Sequence, residues 1–365
     1  MARIIFLQPH LRFGGAERQT VIVANHLASQ GHEIHVILHR GGQGLASEIS
    51  DGVIVHDLGL ESHLATADVA RRLYVVLRRI PPALVIVKLW SSILACAMVD
   101  GLPGARHHVY NYCEDLDPTD HAEYIRFGRA KQSLIGWIFN HREHISANTQ
   151  TVADSMVDVY RLRTRPAIIP STVDIAKTND LVASASVDFG SGQHIVSVSS
   201  LIRRKGLDIT RDALLSIDRP LHWHIVGEGP LREELDAFDD PRGLLTITAH
   251  GGHSNPYPFM AAADVLVHSA RSEAWGIVLL ESMAVGTPVL AADAIGPDEM
   301  HRALGDRDDI MRTYPVGDSA ALADGVVDML DGAVAPAEEM IDYIRPFSMQ
   351  SAADMWVQRA ERLTS

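Results

Sequence analysis

Short apolar runs alternate with longer segments of helical periodicity along most of this chain, and that alternation restricts it to few architectures. Residues 4–7, a helix expected over about 15–30, residues 33–38, a helix near 68–79 and residues 84–88 make up a first cycle. A second cycle runs through 194–199, a helix near 206–215, 222–226, a helix near 231–238, 245–249, a helix near 258–262 and 265–268. Strands and helices in such alternation build a parallel sheet covered by helices, because each parallel pairing needs a crossover. Two doubly wound α/β domains follow, over residues 1–175 and 190–345, and 365 residues with 47% hydrophobic side chains suffice for two cores. Residues 166–170, then Ser171 to Asp174 and a polar, small-residue stretch up to about Gln193, read as the connection.

The formal net charge of −14 argues against a dedicated nucleic-acid binder, whose affinity would rest on a basic surface. Cys96 and Cys113 are the two cysteines, too few for a disulfide framework, which points to a reducing compartment. The apolar run at 4–7 is too short for a signal peptide's core, and no run reaches the roughly 18–20 residues of a membrane span. A cytoplasmic protein is the expectation.

The run from Ser272 to Ala291 sets Glu273 and Glu281 on either side of a loop-to-helix junction. Gly276 supplies the turn, residues 277–285 are mostly good helix formers, and Gly286-Thr287-Pro288 stops the helix before a short strand. The N–H groups of Gly276, Ile277 and Val278 carry the helix's positive dipole end and suit a phosphate. Two acceptors beside an anion site suit a phosphorylated sugar. The stretch resembles the E-x7-E signature of retaining glycosyltransferases of family 4, including its downstream Gly-x-Pro-Val pattern. The resemblance implies a GT-B fold, two Rossmann-like domains facing a central cleft, with a crossover helix at about 347–365 packing back on the first domain. It further implies that Glu273 contacts the transferred sugar, Glu281 the nucleotide ribose, and the intervening segment with Trp275, Gly276, Ile277 and Val278 the donor.

Three further segments extend the resemblance. Gly14 and Gly15 open the first helix in a Gly-Gly-Ala-Glu loop of the kind that reaches the donor diphosphate, and His10 lies on the same loop. The stretch Ser199 to Asp208 resembles a Gly-Arg-Leu…Lys-Gly motif whose arginine and lysine grip the diphosphate. Lys205 falls on the lysine position, but Ser200 stands where the arginine would be, so either Arg203 or Arg204 substitutes or donor binding differs. In Val109 to Glu114 the histidine of many relatives is missing and Cys113 or Glu114 occupies the acceptor side. Glu273, Lys205 and His10 are thus the candidate catalytic groups.

Gly227-x-Gly229 lacks the third glycine of a dinucleotide fingerprint, which disfavours a nicotinamide enzyme. Asp115-x-Asp117 could chelate a hard cation, yet the resemblance assigns charge neutralisation to cations and helix amides, so neither metal nor cofactor is expected. His222 and His224 read as packing or surface residues. Arg71, Arg72, Arg78 and Arg79 form one side of an amphipathic helix, and residues 126–142 carry Trp137 and Phe139 among cations, which allows weak peripheral membrane contact as a minor expectation. The activity so implied is transfer of a sugar from a nucleoside-diphosphate sugar to an acceptor hydroxyl with retention. Its rivals are an epimerase on the same architecture and a non-catalytic nucleotide-sugar-binding subunit.

Overall fold

The apolar runs become the strands of two all-parallel sheets in a computed structural model, which describes every residue except 13, 43, 61–65, 115–117, 120–127, 306 and 365. The chain divides into two units, Met1–Thr172 with Met349–Ser365, and Val173–Ser348. In the first unit β1 (Arg3–Gln8), β2 (Glu33–Leu38), β3 (Val53–Asp57), β4 (Leu84–Val87), β5 (Val109–Glu114), β6 (Ile145–Ala147) and β7 (Ala167–Ile168) lie in the order β3-β2-β1-β4-β5-β6-β7. Ile4 pairs with Ile34 on one side of β1 and with Leu84 on the other, so the strand order reverses at β1 and β4. In open α/β sheets ligands bind outside the carboxyl ends of strands at such a reversal.

Both faces of this sheet are covered, as its continuous apolar strands require. Ile4, Phe6, Ile34 and Val36 pack with Leu27 of helix Gly15–Ser29 and with Ala353, Trp356 and Ala360 of the C-terminal helix Met349–Thr364. Arg359 on that last helix reaches the sheet, where its Nε donates to Asn111 Oδ1 at 2.6 Å. Gln19 secures the chain where it leaves the unit, its Oε1 accepting from the Thr172 N–H at 2.8 Å.

The second unit repeats the winding. Strands β8 (His194–Val198), β9 (Leu221–Val226), β10 (Leu245–Gly251), β11 (Val265–His268), β12 (Val289–Ala292) and β13 (Met311–Tyr314) take the order β10-β9-β8-β11-β12-β13, with the reversal at β8 and β11. The fully buried Trp223 of β9 donates from its indole to Ser197 Oγ at 3.0 Å, and Ser197 donates to the Val267 carbonyl at 2.9 Å. These bonds satisfy the polar atoms that a buried Trp and Ser bring into the core, and tie β9, β8 and β11 together. Beside them, His194 Nδ1 lies 3.1 Å from His224 Nε2, and His224 Nδ1 lies 3.0 Å from His250 Nε2, with Phe189 stacked on His224.

The stretch read as the connection contains a helix. Asp174 accepts from the Lys177 N–H at 3.0 Å and so caps helix Ile175–Ala183, while Ile175, Leu181 and Val182 pack against the core of the second unit. Its polar residues are one exposed face of an amphipathic helix, and a cap plus one apolar stripe outweigh that composition. The short strands β6, β7 and β13 fall in segments without a strong strand pattern, whereas β3 carries the run Val53-Ile54-Val55; β7 is two residues long and is defined by its neighbour β6.

Candidate functional site

The loop after β8 and the loop after β11 meet at the reversal of the second sheet. Arg203–Lys205 forms a 3-10 turn ended by Gly206 at φ 65°, where an added Cβ would lie 1.9 Å from the Ser269 carbonyl oxygen. Only glycine permits both that backbone conformation and that approach. The contact is then zipped by hydrogen bonds. Arg271 N donates to Arg204 O at 2.8 Å, the Arg204 guanidinium donates to Ser272 O at 2.8 Å, and Ser269 Oγ donates to Gly206 O at 2.8 Å. Arg271 also donates to Arg203 O and, through two bonds of 2.8 and 2.6 Å, to the Asp208 carboxylate.

Lys205 and Glu273, 68 residues apart in sequence, are brought into an ion pair by this zipper, Lys205 Nζ donating to Glu273 Oε2. His268, the last residue of β11, places Nε2 3.1 Å from the same oxygen and is itself buried. Burial opposes charge on Glu273, but Lys205 and His268 outweigh it and hold the carboxyl below the usual carboxylate range. Burial likewise pushes His268 down, against the pull of Glu273, so the imidazole is neutral and its Nε2–H is the donor to a carboxylate that can only accept. Arg203 is exposed, whereas Arg204 is committed to Ser272.

Gly276, at φ 85°, turns the chain into helix Ile277–Ala284, whose first N–H groups belong to Ile277 and Val278. Glu281 on this helix is buried, with Oε1 accepting from Tyr257 Oη at 2.9 Å, and is no solvated residue. The Trp275 side chain is buried in the core, edge-to-face with Phe347 at 4.9 Å, so the ring is a packing element and the donor contact expected of this segment falls to its backbone.

The remaining candidates lie in the first unit. Gly14 and Gly15 open helix Gly15–Ser29, and Gly14 leaves room for the protein's own carboxylate: an added Cβ would lie 2.4 Å from Glu17 Oε2. His10 Nδ1 sits 3.3 Å from Glu17 Oε1. Cys113 is buried, and its sulfur accepts from Asn111 Nδ2 and Ser146 Oγ, each at 3.3 Å. It borders, with Lys88 and Ser146, a cavity of about 20 Å³, room for about one water and not for a sugar. Glu114 is buried as well and accepts from Tyr160 Oη at 2.9 Å. Cys113 and Glu114 at the end of β5 thus face the interior, which corrects the expectation that either meets an acceptor. Among the described residues no group of three or more His, Cys, Asp or Glu is placed to hold a metal ion. Asp115 and Asp117 lie outside the described residues. No helix of the described residues is long and apolar enough to cross a membrane.

His268 and Tyr257 do not emerge from the motifs. Glu17 is the acid of the Gly-Gly-Ala-Glu loop and lies in the first turn of its helix; a single histidine at a strand end or a tyrosine between strands carries no such signal.

Comparison with known proteins accords with this geometry. Residues 13–177 match the family model described as Glycosyltransferase Family 4, and residues 192–332 match the one described as Glycosyl transferases group 1. The lipopolysaccharide core biosynthesis glycosyltransferase LpsE of Rhizobium meliloti is 28% identical over 304 residues, 79% of each chain. LpsD of the same organism, of the same description, is 32% identical over 104 residues, which span 28% of this chain and 30% of that protein. Among solved structures, Anabaena HepE in complex with UDP-glucose superposes with a TM-score of 0.77 at 17% identity over 100% of both chains. WaaG, a glycosyltransferase involved in lipopolysaccharide biosynthesis, gives 0.70 at 19% identity over 99% of this chain and 100% of WaaG. The fold is GT-B, and each half of the chain matches a glycosyltransferase domain model.

Proposed function

We propose that this protein transfers a sugar from a nucleoside-diphosphate sugar to an acceptor hydroxyl with retention of anomeric configuration, in the synthesis of a lipopolysaccharide, another polysaccharide, a glycolipid or a glycosylated natural product. The observation that carries the reading is the Lys205–Glu273–His268 cluster at the carboxyl ends of β8 and β11, in a glycosyltransferase domain. As the diphosphate departs, charge grows on its oxygens, where the Lys205 ammonium, exposed Arg203 and the N–H groups of Ile277 and Val278 would stabilise it. The ammonium has three donors and can serve a phosphate while still touching Glu273. Glu273 receives a hydroxyl of the sugar, and Glu281 the nucleotide ribose. With the Glu273 carboxylate engaged by Lys205 and His268, displacement on one face, the leaving phosphate taking the acceptor's proton, suits the site better than a covalent glycosyl-enzyme. Cys96 and Cys113 are free thiols, as a reducing cytoplasm would keep them.

The test is a thermal-shift screen of nucleoside diphosphates and their sugars, followed by product analysis with candidate acceptors. A ligand at about 100 times its dissociation constant adds roughly 2.7 kcal/mol to stability, so the donor base should stand out. The product linkage should keep the donor's anomeric configuration. Inverted product, or stabilisation by no nucleotide, would overturn the reading; donor binding without turnover would favour a non-catalytic subunit. Because cations and helix amides are assigned the diphosphate, turnover should survive extensive EDTA treatment, and loss restored by Mg²⁺ or Mn²⁺ would refute that assignment.

A further inference from the structure

We propose that His268 is a positioning residue: it locks the Glu273 carboxylate so that Oε2 is committed to His268 and Lys205 while Oε1 is presented to a hydroxyl of the transferred sugar. The inference rests on the donor reading above and adds to it the group that makes Glu273 a defined acceptor.

Three features of the structure support it. Glu273 stands on a loop, and a loop carboxylate on three rotatable side-chain bonds samples several orientations unless it is held. His268 ends β11, a strand paired with both β8 and β12, is itself paired with Ala291 of β12, and its side chain is 4% exposed, so the ring is fixed by the sheet and by packing. Support from a rigid element is what sets a loop group to within the fraction of an ångström that binding geometry needs. The bonds to the carboxylate from His268 Nε2, at 3.1 Å, and from Lys205 Nζ fall on the same oxygen, Oε2.

Lys205 cannot do this alone. Its ammonium is a point charge on a flexible stem with rotatable donors, and it must turn part of its hydrogen-bonding capacity to the diphosphate when the donor arrives. The imidazole has no such second duty and keeps hold of Oε2 through the reaction. The charged groups around it are Glu273, Lys205 and Arg204; the two cations and burial keep the ring neutral, with the proton on the nitrogen that faces the carboxylate.

The experiment is a mutant cycle on the full chain with the nucleoside-diphosphate sugar that wild type turns over, reading kcat, KM, nucleoside-diphosphate affinity and Tm. His268→Leu should lower kcat about ten- to a hundredfold, the weight of one hydrogen bond to a charged group, while nucleoside-diphosphate affinity stays within about threefold. His268→Gln, whose amide N–H extends about as far as the imidazole's, should recover most of the loss; His268→Asn, too short to reach, should not, and it replaces the leucine variant if that one fails to fold. In a Glu273→Ala background, His268→Leu should change kcat by less than about threefold, because its partner is already gone. Wild-type kcat in His268→Leu, or an undiminished loss in the Glu273→Ala background, would overturn the positioning role while leaving the donor reading intact. Absence of both donor binding and turnover in wild type would overturn the two together.

Discussion

Lys205 and Glu273 neutralise each other where both are mostly shielded from water, and that coupling governs how single substitutions will behave. Lys205→Ala should lower kcat/KM for the donor by about ten- to a hundredfold, since a charge-assisted bond to phosphate is worth about 1.5–3 kcal/mol. A value within about threefold of wild type would remove Lys205 as a diphosphate ligand. Glu281 presents a different problem, because it accepts from the buried Tyr257 hydroxyl. Glu281→Ala should therefore weaken nucleoside-diphosphate binding and also lower Tm, as a buried hydrogen bond to a charged group is worth about 1.5–3 kcal/mol. Tyr257→Phe separates the two effects: it removes the hydroxyl with the carboxylate in place and should weaken nucleoside-diphosphate binding far less than Glu281→Ala. Equal losses in the two variants would mean that Glu281 is a structural partner of Tyr257 and not a ribose ligand. Two separate motifs singled out Glu273 with Glu281, and Lys205, because each fits in a short window; neither spoke of His268 or Tyr257, whose relevance depends on which side chain lies across from them.

At the scale of elements, the row of imidazoles from β8, β9 and β10 makes stability depend on pH. Burial first, then the neighbouring His250, His194 and His222, pull His224 down to about 4 in the folded chain, from 6.5 when unfolded. As pH falls below 6.5 the unfolded chain takes up a proton that the folded chain refuses, so stability is full above that value, declines towards about 4 and levels off below. The loss from this residue is on the order of 2–3 kcal/mol. Urea unfolding at a series of pH values should show it, and His224→Gln should flatten the slope contributed by the second unit; an unaltered slope would exclude His224 as its source. Helix Ile175–Ala183 teaches a related lesson about legibility. Its Asp174 cap was in plain view in the sequence, but a polar segment next to a proline-bounded stretch looks like a linker until the apolar positions Ile175, Leu181 and Val182 find a core to face.

For the molecule as a whole, the C-terminal helix is the device that closes the chain on its first unit. Trp356 on this helix is buried against β1 and its neighbours, and Trp356→Ala should cost the first unit about 3–5 kcal/mol, the usual penalty for emptying a large core site. Calorimetry should show the lower-melting transition moving or a second one splitting off; a single unmoved transition would mean that the helix is not needed for that core. What the sequence determined by itself is everything that a short window encodes: the apolar runs that must be buried strands, the turn and helix start at Gly276, and the motif spacings that pointed to a two-domain GT-B fold. What only the tertiary structure decided is which of those windows touch. β8 and β11 become neighbours because the strand order reverses there, and Gly206 lets their loops close to contact; that places Lys205 and His268 on one oxygen of Glu273. The same packing turned Trp275, Cys113 and Glu114 inward, because the sign of a side chain's direction, toward ligand or toward core, is set by the sheet it grows from and not by the letters around it.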